Sequence, residues 1–320
     1  MRGMRFFFGV FFLFAGLHAG DFEQLVGSPE SVRTAEDWEH LSFYKRLYEK
    51  SLSLPLREKE AIPAIFHLIW LGPEPYPKAS LARLRKWQKL HPGWTFYFWS
   101  DCCRQPPFPS LALRSVVDFE WELLGSSYDA ADTLKEKAFL LGLEILLKEG
   151  GVVIDHDVVF KQPLSEWSRR LDFFGILEPP ESSYFSSSLF ISSHLLAGRP
   201  RHPFFKEAAA WYQREGELYG RFFPGDGPKE RVQRTRQRMY EAMRHGEKAL
   251  GSRESRDCLF PAGLVTRHFR EGSWTAFETI REERLRKSID QLDGKVSLAQ
   301  LLLFGALFLM GTVFLARRRR

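Results

Sequence analysis

The chain has 320 residues, of which 44% are hydrophobic and 15% aromatic, enough for a large core in one or two domains. Four of the six net positive charges come from arginines at the C-terminus, so the body is nearly balanced and no nucleic-acid-binding surface is indicated. Three cysteines exclude a disulfide framework, leaving one bridge or three free thiols, and the absence of Asn excludes N-glycosylation.

Both ends of the chain have features of membrane-directed segments. Residues 1–19 combine two arginines, a Phe-rich apolar stretch and a small residue before a polar start, which predicts a signal peptide or, alternatively, an uncleaved anchor. Residues 296–316 form an uncharged apolar run of transmembrane length, followed by the basic tail 317–320. Because basic flanks remain cytoplasmic, we expect a single-pass membrane protein whose body lies on the non-cytoplasmic side.

Between these ends, the patterns change along the chain. A helical lead-in is predicted over 20–61, and a charged stalk over 276–295. The region between them alternates strand and helix patterns, which predicts an α/β sheet with helices on its faces. Strands are predicted at 62–71, 94–99, 152–154, 173–177 and 187–192, and helices at 78–90, 130–149, 203–215 and 229–250.

The stretch most indicative of chemistry is Gly150–Phe160, where a double glycine precedes an apolar run that ends in Asp155 and Asp157. Alternation along a strand puts these two carboxylates on the same side, at or just beyond the strand end. Such a pair repels itself unless a cation lies between, and a hard divalent cation that also bridges phosphate oxygens meets this need. The alternative is an Asp-rich turn after a buried strand.

Other predicted strands also end in residues suited to binding. Trp70 and Asp101 lie at the ends of the first and second strands, as Asp155 and Asp157 lie at the end of a later one. In open α/β sheets, ligands bind at the carboxyl ends of the strands. We therefore expect these side chains to meet at one edge of the sheet.

Five segments, in family order, resemble the DXD-containing sugar-binding glycosyltransferases. This family includes fungal Golgi mannosyltransferases, bacterial capsular-type transferases and, more distantly, the clostridial glucosylating toxins. Each segment is weakly specific alone, and together they span most of the chain between its two ends. They are IPAIFHLIWLG at 62–72, HPGW with FWSD at 91–101, LLKEGGVVIDHDV at 146–158, GRPRHP at 198–203 and HFREGSW at 268–274.

The resemblance implies a GT-A type, Rossmann-like sheet flanked by helices as a catalytic domain over 62–275, here joined to a C-terminal transmembrane helix. It also implies transfer of a hexose from a nucleotide-diphosphate sugar, a UDP- or GDP-sugar, to a glycan, lipid or protein acceptor, with retention of anomeric configuration. The implied cofactor is Mn²⁺ or Mg²⁺, which neutralises the diphosphate and makes it a better leaving group.

The resemblance also implies roles for the metal-binding residues. Asp157 would bind the metal, and Asp155 would reach the ribose or sugar while lying close to the metal. These two are the predicted catalytic residues. His268 is a third candidate ligand, through a neutral imidazole; its alternative is a surface histidine on a loop.

Five further residues are implied in donor binding. Trp70 matches the family tryptophan that stacks on the nucleotide base, with core packing as its alternative, and Ser273 and Trp274 match a motif that closes over the diphosphate. In the family, an Asp and an Arg on the helix before the double glycine grip the donor. Here Asp132 and Lys135 stand in those places, and Lys offers a point charge where Arg offers two parallel donors.

The spacing before the double glycine departs from the family pattern. Asp132 is farther from Gly150 by about two helical turns of 3.6 residues each. Counting back from Gly150 without a gap would put Phe139 at the position of the family Asp and Gly142 at that of the Arg. Neither residue can bind the donor sugar or phosphate as those side chains do. Either the helix has a bulge or break, or Asp132 is not the equivalent residue. Serines also stand at 186–188, where the family often has Asn.

These departures leave two alternatives to a membrane-anchored glycosyltransferase. The first is a catalytically inactive relative that acts as a membrane-tethered binding or scaffold protein. The second is a metal-dependent phosphohydrolase that uses the same two carboxylates, which would require further ligands grouped near them.

Overall fold

In a computed structural model of the chain, the described residues are 22, 26, 35–102, 104–160, 162–178, 189–215, 227–261, 266, 267, 281, 283–285, 287 and 291. The predicted signal segment at 1–19, the serines at 186–188, the motif at 268–274 and the apolar run at 296–316 lie outside the described residues. Among the helices that are described, none combines the length and the apolar character needed to cross a membrane.

The described residues form the following elements. The helices are α1 (Ala35–Ser53), α2 (Lys78–Leu90), α3 (Gly125–Ala130), α4 (Leu134–Lys148), α5 (Ser165–Arg170), α6 (Pro203–Glu215) and α7 (Pro228–Glu247). The strands are β1 (Ile65–Ile69), β2 (Thr95–Ser100), β3 (Ala112–Ser115), β4 (Gly151–Ile154), β5 (Val158–Val159), β6 (Phe173–Leu177), β7 (Ile191–Gly198), β8 (Asp257–Phe260) and β9 (Thr266–Arg267).

The main sheet has seven strands in the order β3-β2-β1-β4-β7-β6-β8. The strands β3, β2, β1 and β4 are parallel, whereas β7 is antiparallel to both of its neighbours, β4 and β6. Helix α4 packs on the centre of the sheet and on α6 and α7, and α1 packs on β8 at one edge. The predicted α/β sheet with flanking helices is confirmed.

Some predicted elements have the observed bounds and others do not. The helices predicted at 78–90 and 203–215 and the strand at 173–177 are confirmed. The strand predicted at 187–192 overlaps the observed β7 only at residues 191 and 192, because β7 runs from Ile191 to Gly198. Nearly all residues of β7 are buried, so no alternation of polar and apolar residues marks its bounds. The short strands β3 and β8 have no counterpart among the sequence predictions.

Helix α4 is continuous from Leu134 to Lys148, so of the two alternatives for the long spacing, a bulge or break within this helix does not occur. It starts at Leu134, later than predicted, and neither Asp129 nor Asp132 caps it. The cap is Thr133, whose hydroxyl accepts a hydrogen bond from the N–H of Glu136 at 3.1 Å. Leucine and isoleucine side chains on both sides of α4 are buried, which is typical of a helix enclosed between a sheet and other helices.

The double glycine ends α4 and starts β4. Gly150 has φ +69° and donates its N–H to the carbonyl of Leu146 at 3.2 Å, the pattern of a left-handed helix end. Gly151 has φ +100°, and a Cβ there would lie 2.8 Å from the carbonyl oxygen of Ile65. A Cβ at Gly150 would lie 2.8 Å from the carbonyl oxygen of Gly198. Both positions therefore require glycine, for the backbone angle and for the close approach of a neighbouring segment.

A buried histidine ties β1 to this turn. The Nε2 of His67 lies 3.0 Å from the carbonyl of Gly150, and its Nδ1 accepts a hydrogen bond from the indole of Trp99 at 3.1 Å. This pairing places the proton on Nε2. Burial lowers the pKa of His67 to about 4, so the ring is neutral near pH 7.

The close approach at Gly151 yields a stability prediction. Gly151→Ala should lower the free energy of unfolding by about 3 kcal/mol or more, because backbone strain adds to the clash with β1. Gly93→Ala is the matched control, since Gly93 has φ +84° but open space around its missing Cβ. It should cost only about 1 kcal/mol of strain. Urea denaturation measures both, and equal costs would contradict the close approach.

The low pKa of His67 yields a pH prediction. The unfolded chain takes up a proton at this histidine below about pH 6.5, whereas the folded chain does so only near pH 4. The contribution of His67 to stability is therefore complete above pH 6.5 and declines as the pH falls towards 4. The stability advantage of the wild type over His67→Gln should shrink over this window, on the order of 3 kcal/mol. A constant difference in urea denaturation would contradict a neutral buried His67.

Candidate functional site

The candidate site lies at one edge of the main sheet. Strands β1, β2 and β4 are parallel, so their carboxyl ends share this edge, and Trp70, Asp101 and Asp155 follow close behind them. The predicted meeting of these strand ends is confirmed. Asp101 accepts two hydrogen bonds from the N–H of Gly72, at 2.8 and 3.0 Å, and so fixes the loop that follows β1.

Asp155 and Asp157 come together because the chain turns after β4. The N–H of Val158 donates to the carbonyl of Asp155 at 3.3 Å, which closes a tight turn around His156 and Asp157. Turn geometry beyond the strand, and not alternation within it, therefore sets the pair. His156 faces elsewhere, and its Nδ1 lies 2.9 Å from the hydroxyl of Ser80 on α2.

The strand β7 adds a third side chain to this pair. The N–H of Asp155 donates to the carbonyl of His194 at 2.8 Å, as the last rung of the β4–β7 pairing. One oxygen or nitrogen from each of Asp155, Asp157 and His194 lies within 4.8 Å of the others, a grouping that could hold a metal ion. These ligand types suit a divalent cation.

Asp157 is the most constrained member of the group. It is 2% exposed, and in the described part of the chain neither of its carboxylate oxygens has a hydrogen-bond partner. The Nδ1 of His194 lies 4.0 Å from one of them. A buried carboxylate is costly unless it is hydrogen-bonded, paired or coordinated to a metal. The site is therefore suited to a cation that binds Asp157.

Asp155 is held by two positive or potentially positive groups. The Nζ of Lys135 and the Nδ1 of His194 each lie 2.6 Å from the same Asp155 oxygen. Burial acts to raise the pKa of Asp155, but the charges of Lys135 and His194 outweigh it and hold the pKa well below its usual range. Asp155 is thus an ionised carboxylate near neutral pH.

The first turn of α4 brings Lys135 to the site but directs Asp132 elsewhere. The spacing between this turn and Gly150 is about two helical turns longer than in the family pattern. Lys135 nevertheless contacts Asp155, because the N-terminal end of the unbroken α4 lies at the site edge. Asp132 lies beside the helix cap, and its carboxylate accepts a hydrogen bond from Arg238 on α7 at 2.6 Å. Of these two predicted donor-binding residues, only Lys135 contacts the Asp155 carboxylate.

Arg238 also holds the neighbouring Glu136 in a buried network. Its Nε and Nη2 donate to the two carboxylate oxygens of Glu136, each at 2.6 Å. Tyr212 and Thr235 donate to the same carboxylate. Burial raises the pKa of Glu136, and the bonds from Arg238 act in the opposite direction. This network fixes the helix turn that carries Lys135.

Trp70 is buried, with 3% of its surface exposed. Its indole N–H donates to the carbonyl of Glu74 at 2.7 Å, and its ring packs edge-on against Tyr76 and His156. The guanidinium of Arg281, from the C-terminal part of the chain, lies over the ring at 4.2 Å. Any base that stacks on Trp70 must share this ring with Arg281.

The three remaining predicted site residues belong to the C-terminal motif. His268, Ser273 and Trp274 lie outside the described residues. The sequence position of His268 is nonetheless informative, because it directly follows β9, whose Arg267 pairs with Val158 next to Asp157. His268 therefore stays a prediction as a metal ligand.

His194 is the residue that the sequence prediction missed. The signal available was a histidine between two serines and an apolar run, in ISSHLLAG. Its relevance depends on the antiparallel pairing of β7 with β4, a long-range contact that local patterns do not specify.

No protein-family model matches the sequence, and no curated protein matches it. Solved structures do show likeness to this chain. The PaToxG glycosyltransferase is 12% identical over 78% of this chain and 94% of its own, with a TM-score of 0.41. The glycosyltransferase domain from the YGT toxin is 10% identical over 72% and 80%, with a TM-score of 0.36. The mannosyltransferase PcManGT from Pyrobaculum calidifontis, in complex with GDP-Man and Mn²⁺, is 13% identical over 75% and 68%, with a TM-score of 0.33.

These neighbours are glycosyltransferases by description, but the TM-scores and identities are low.

The Arg238 network yields a stability prediction. Arg238→Met should lower the free energy of unfolding by about 3–5 kcal/mol, because it leaves Glu136 buried without its charged partner. Adding Glu136→Gln should recover part of this loss, since the uncompensated charge is then gone. Urea denaturation of both single variants and the double variant measures the coupling. Additive losses would contradict the buried pairing.

Proposed function

We propose that this chain is a metal-dependent glycosyltransferase of GT-A type, which moves a hexose from a UDP- or GDP-sugar to a glycan, lipid or protein acceptor with retention of configuration. The observation that carries the proposal is the buried Asp157 carboxylate, without hydrogen bonds from the described residues, beside Asp155 and His194 at the end of β4. The surrounding sequence, LLKEGGVVIDHDV, is where the resembled family has its DXD motif.

Asp155, Asp157 and His194 would hold the cation, with His268 as a further candidate. When bound, a divalent cation supplies Lewis-acid stabilisation of a departing nucleoside diphosphate. The imidazole of His194 favours Mn²⁺ over Mg²⁺, because Mg²⁺ prefers oxygen ligands and retains several waters.

The other groups at this edge have roles that follow from their charge and position. Lys135 places an ammonium group beside Asp155, where it can bind a donor phosphate as a point charge. The Arg238–Glu136 pair keeps that ammonium in place by fixing the first turn of α4. Trp70 stays the predicted platform for the base, and Ser273 and Trp274 the predicted cover of the diphosphate.

We also propose that the protein is a single-pass membrane protein anchored through 296–316, with 62–275 on the non-cytoplasmic side. This arrangement is supported by the apolar run and the basic tail after it. A transferase so placed would act on acceptors at or beyond the membrane surface.

An inactive binding or scaffold protein is the second candidate function. It is favoured by Asp132, which the family pattern would offer to the donor but which here is bonded to Arg238. Such a protein would bind a nucleotide sugar or a glycan without turnover.

The metal role yields an activity prediction. The full-length protein should release UDP or GDP from a matching nucleotide sugar when Mn²⁺ is present. Asp157→Asn should reduce this rate by more than about 100-fold, because several kcal/mol of leaving-group stabilisation depend on the cation. Asp129→Asn, which changes an exposed carboxylate on α3, is the control and should retain full activity.

Thermal unfolding separates loss of activity from loss of folding. Mn²⁺ at 100 times its Kd should stabilise the wild type by about 2.7 kcal/mol, and should leave Asp157→Asn nearly unaffected. Turnover that persists in Asp157→Asn would contradict the metal role. Mn²⁺ and donor binding without any turnover would favour the scaffold protein.

A further inference from the structure

We propose that Glu178 is a positioning residue, which orients His194 so that its Nδ1 serves as the third ligand of the cation site. This inference rests on the proposed metal-dependent function. It adds a residue with no counterpart among the sequence predictions, and it explains why a glutamate is buried beside the site.

Glu178 is placed by an irregularity in the sheet. It directly follows β6, and its N–H donates to the carbonyl of Phe190 at 2.9 Å. Gly175 pairs with Leu196, but Leu177 pairs with Ile191, so residues 192–195 of β7 lie opposite Ile176 alone. Such bulges re-aim side chains and are frequent next to active sites. This one contains His194.

Ser192 links the bulge to Glu178. Its hydroxyl accepts a hydrogen bond from the N–H of His194 at 3.2 Å and donates to Glu178 at 2.5 Å. Ser192, His194 and Glu178 are all buried. The backbone of His194 and the carboxylate of Glu178 are thus joined through one hydroxyl group, which fixes their relative positions.

The two ring nitrogens of His194 face different carboxylates, Nδ1 the Asp155–Asp157 pair and Nε2 Glu178. Its Nδ1 lies 2.6 Å from Asp155 and 4.0 Å from Asp157, whereas its Nε2 lies 3.6 Å from the same Glu178 oxygen that Ser192 contacts. A neutral imidazole has one N–H and one lone pair. A cation bound to Asp155 and Asp157 requires a lone pair on Nδ1, so the proton of the neutral ring is then on Nε2, where the Glu178 carboxylate can accept it.

That tautomer leaves the Nδ1 lone pair directed at the Asp155–Asp157 pair. Histidine ligands of metals usually donate their other N–H to a carboxylate or carbonyl, which fixes the ring orientation and strengthens the ligand. Glu178 therefore sets which nitrogen of His194 binds the cation. It does not touch the donor or the cation itself.

The test is Mn²⁺ affinity of the full-length protein, measured from the free-ion signal in electron paramagnetic resonance. Glu178→Leu should weaken Mn²⁺ binding by about 10- to 100-fold. Glu178→Gln retains an oxygen that accepts from Ser192 and from His194, so its affinity should stay within a few-fold of the wild type. Glu144→Gln is the control, because it changes a buried carboxylate that instead accepts backbone N–H groups near Leu123.

A second readout tests the ligand atom directly. Electron spin-echo modulation from imidazole nitrogen should accompany bound Mn²⁺ in the wild type and in Glu178→Gln. The part of this modulation that His194→Ala removes should also be lost in Glu178→Leu. Wild-type affinity and nitrogen modulation in Glu178→Leu would overturn the positioning role while leaving the metal site intact. Failure of the wild type to bind Mn²⁺ would overturn the metal site and this inference with it.

Discussion

The constraint on which the site depends is the burial of a carboxylate pair at the end of a central strand. Asp157 is enclosed, and the described part of the chain gives its oxygens no hydrogen bond. Nothing in the physics of folding favours such a group by itself, since burial of an uncompensated carboxylate costs free energy. The surrounding positive and donor groups, Lys135 and His194, are directed at Asp155. The oxygens of Asp157 therefore remain available to bind a cation.

The fold delivers these groups through three long-range contacts. The double glycine lets β4 approach β1 closely, and the hydrogen bond from His67 to the carbonyl of Gly150 stabilises this packing. The antiparallel pairing of β4 with β7 brings His194 to Asp155. The third contact is between helices, where Arg238 fixes the first turn of α4 and hence Lys135. Each contact stabilises the core and also positions a charged group, so core variants at these places should alter ion binding as well as stability.

The sequence predicts the parts of the fold that depend on local patterns. The helices at 78–90 and 203–215 have a helical apolar periodicity, the strand at 173–177 is a continuous apolar run, and the bounds of all three are as predicted. The strand β3 is mostly exposed, so no apolar pattern distinguishes it from a loop, and β8 was not predicted either. The carboxylate pair was predictable because its spacing and its double glycine are local features. His194 was not, because it joins the pair only through strand pairing.

The helix before the double glycine shows a different limit of sequence reasoning. The residue spacing alone leaves open whether Asp132 and Lys135 can reach the site. A longer continuous helix and a helix with a break give the same spacing in the sequence. The unbroken α4 resolves this: Lys135 contacts Asp155, whereas Asp132 contacts Arg238. Tertiary packing thus brings only Lys135 to the carboxylate pair, and donor binding by either residue stays a prediction.

The most direct measurement of the central claim is anomalous X-ray diffraction at the manganese edge from crystals of the protein soaked in Mn²⁺. The account predicts an anomalous peak within coordination distance of an Asp157 oxygen and of His194 Nδ1. A structure without a peak at this position, or with Mn²⁺ bound only elsewhere, would contradict the claim that the buried carboxylate pair is a cation site.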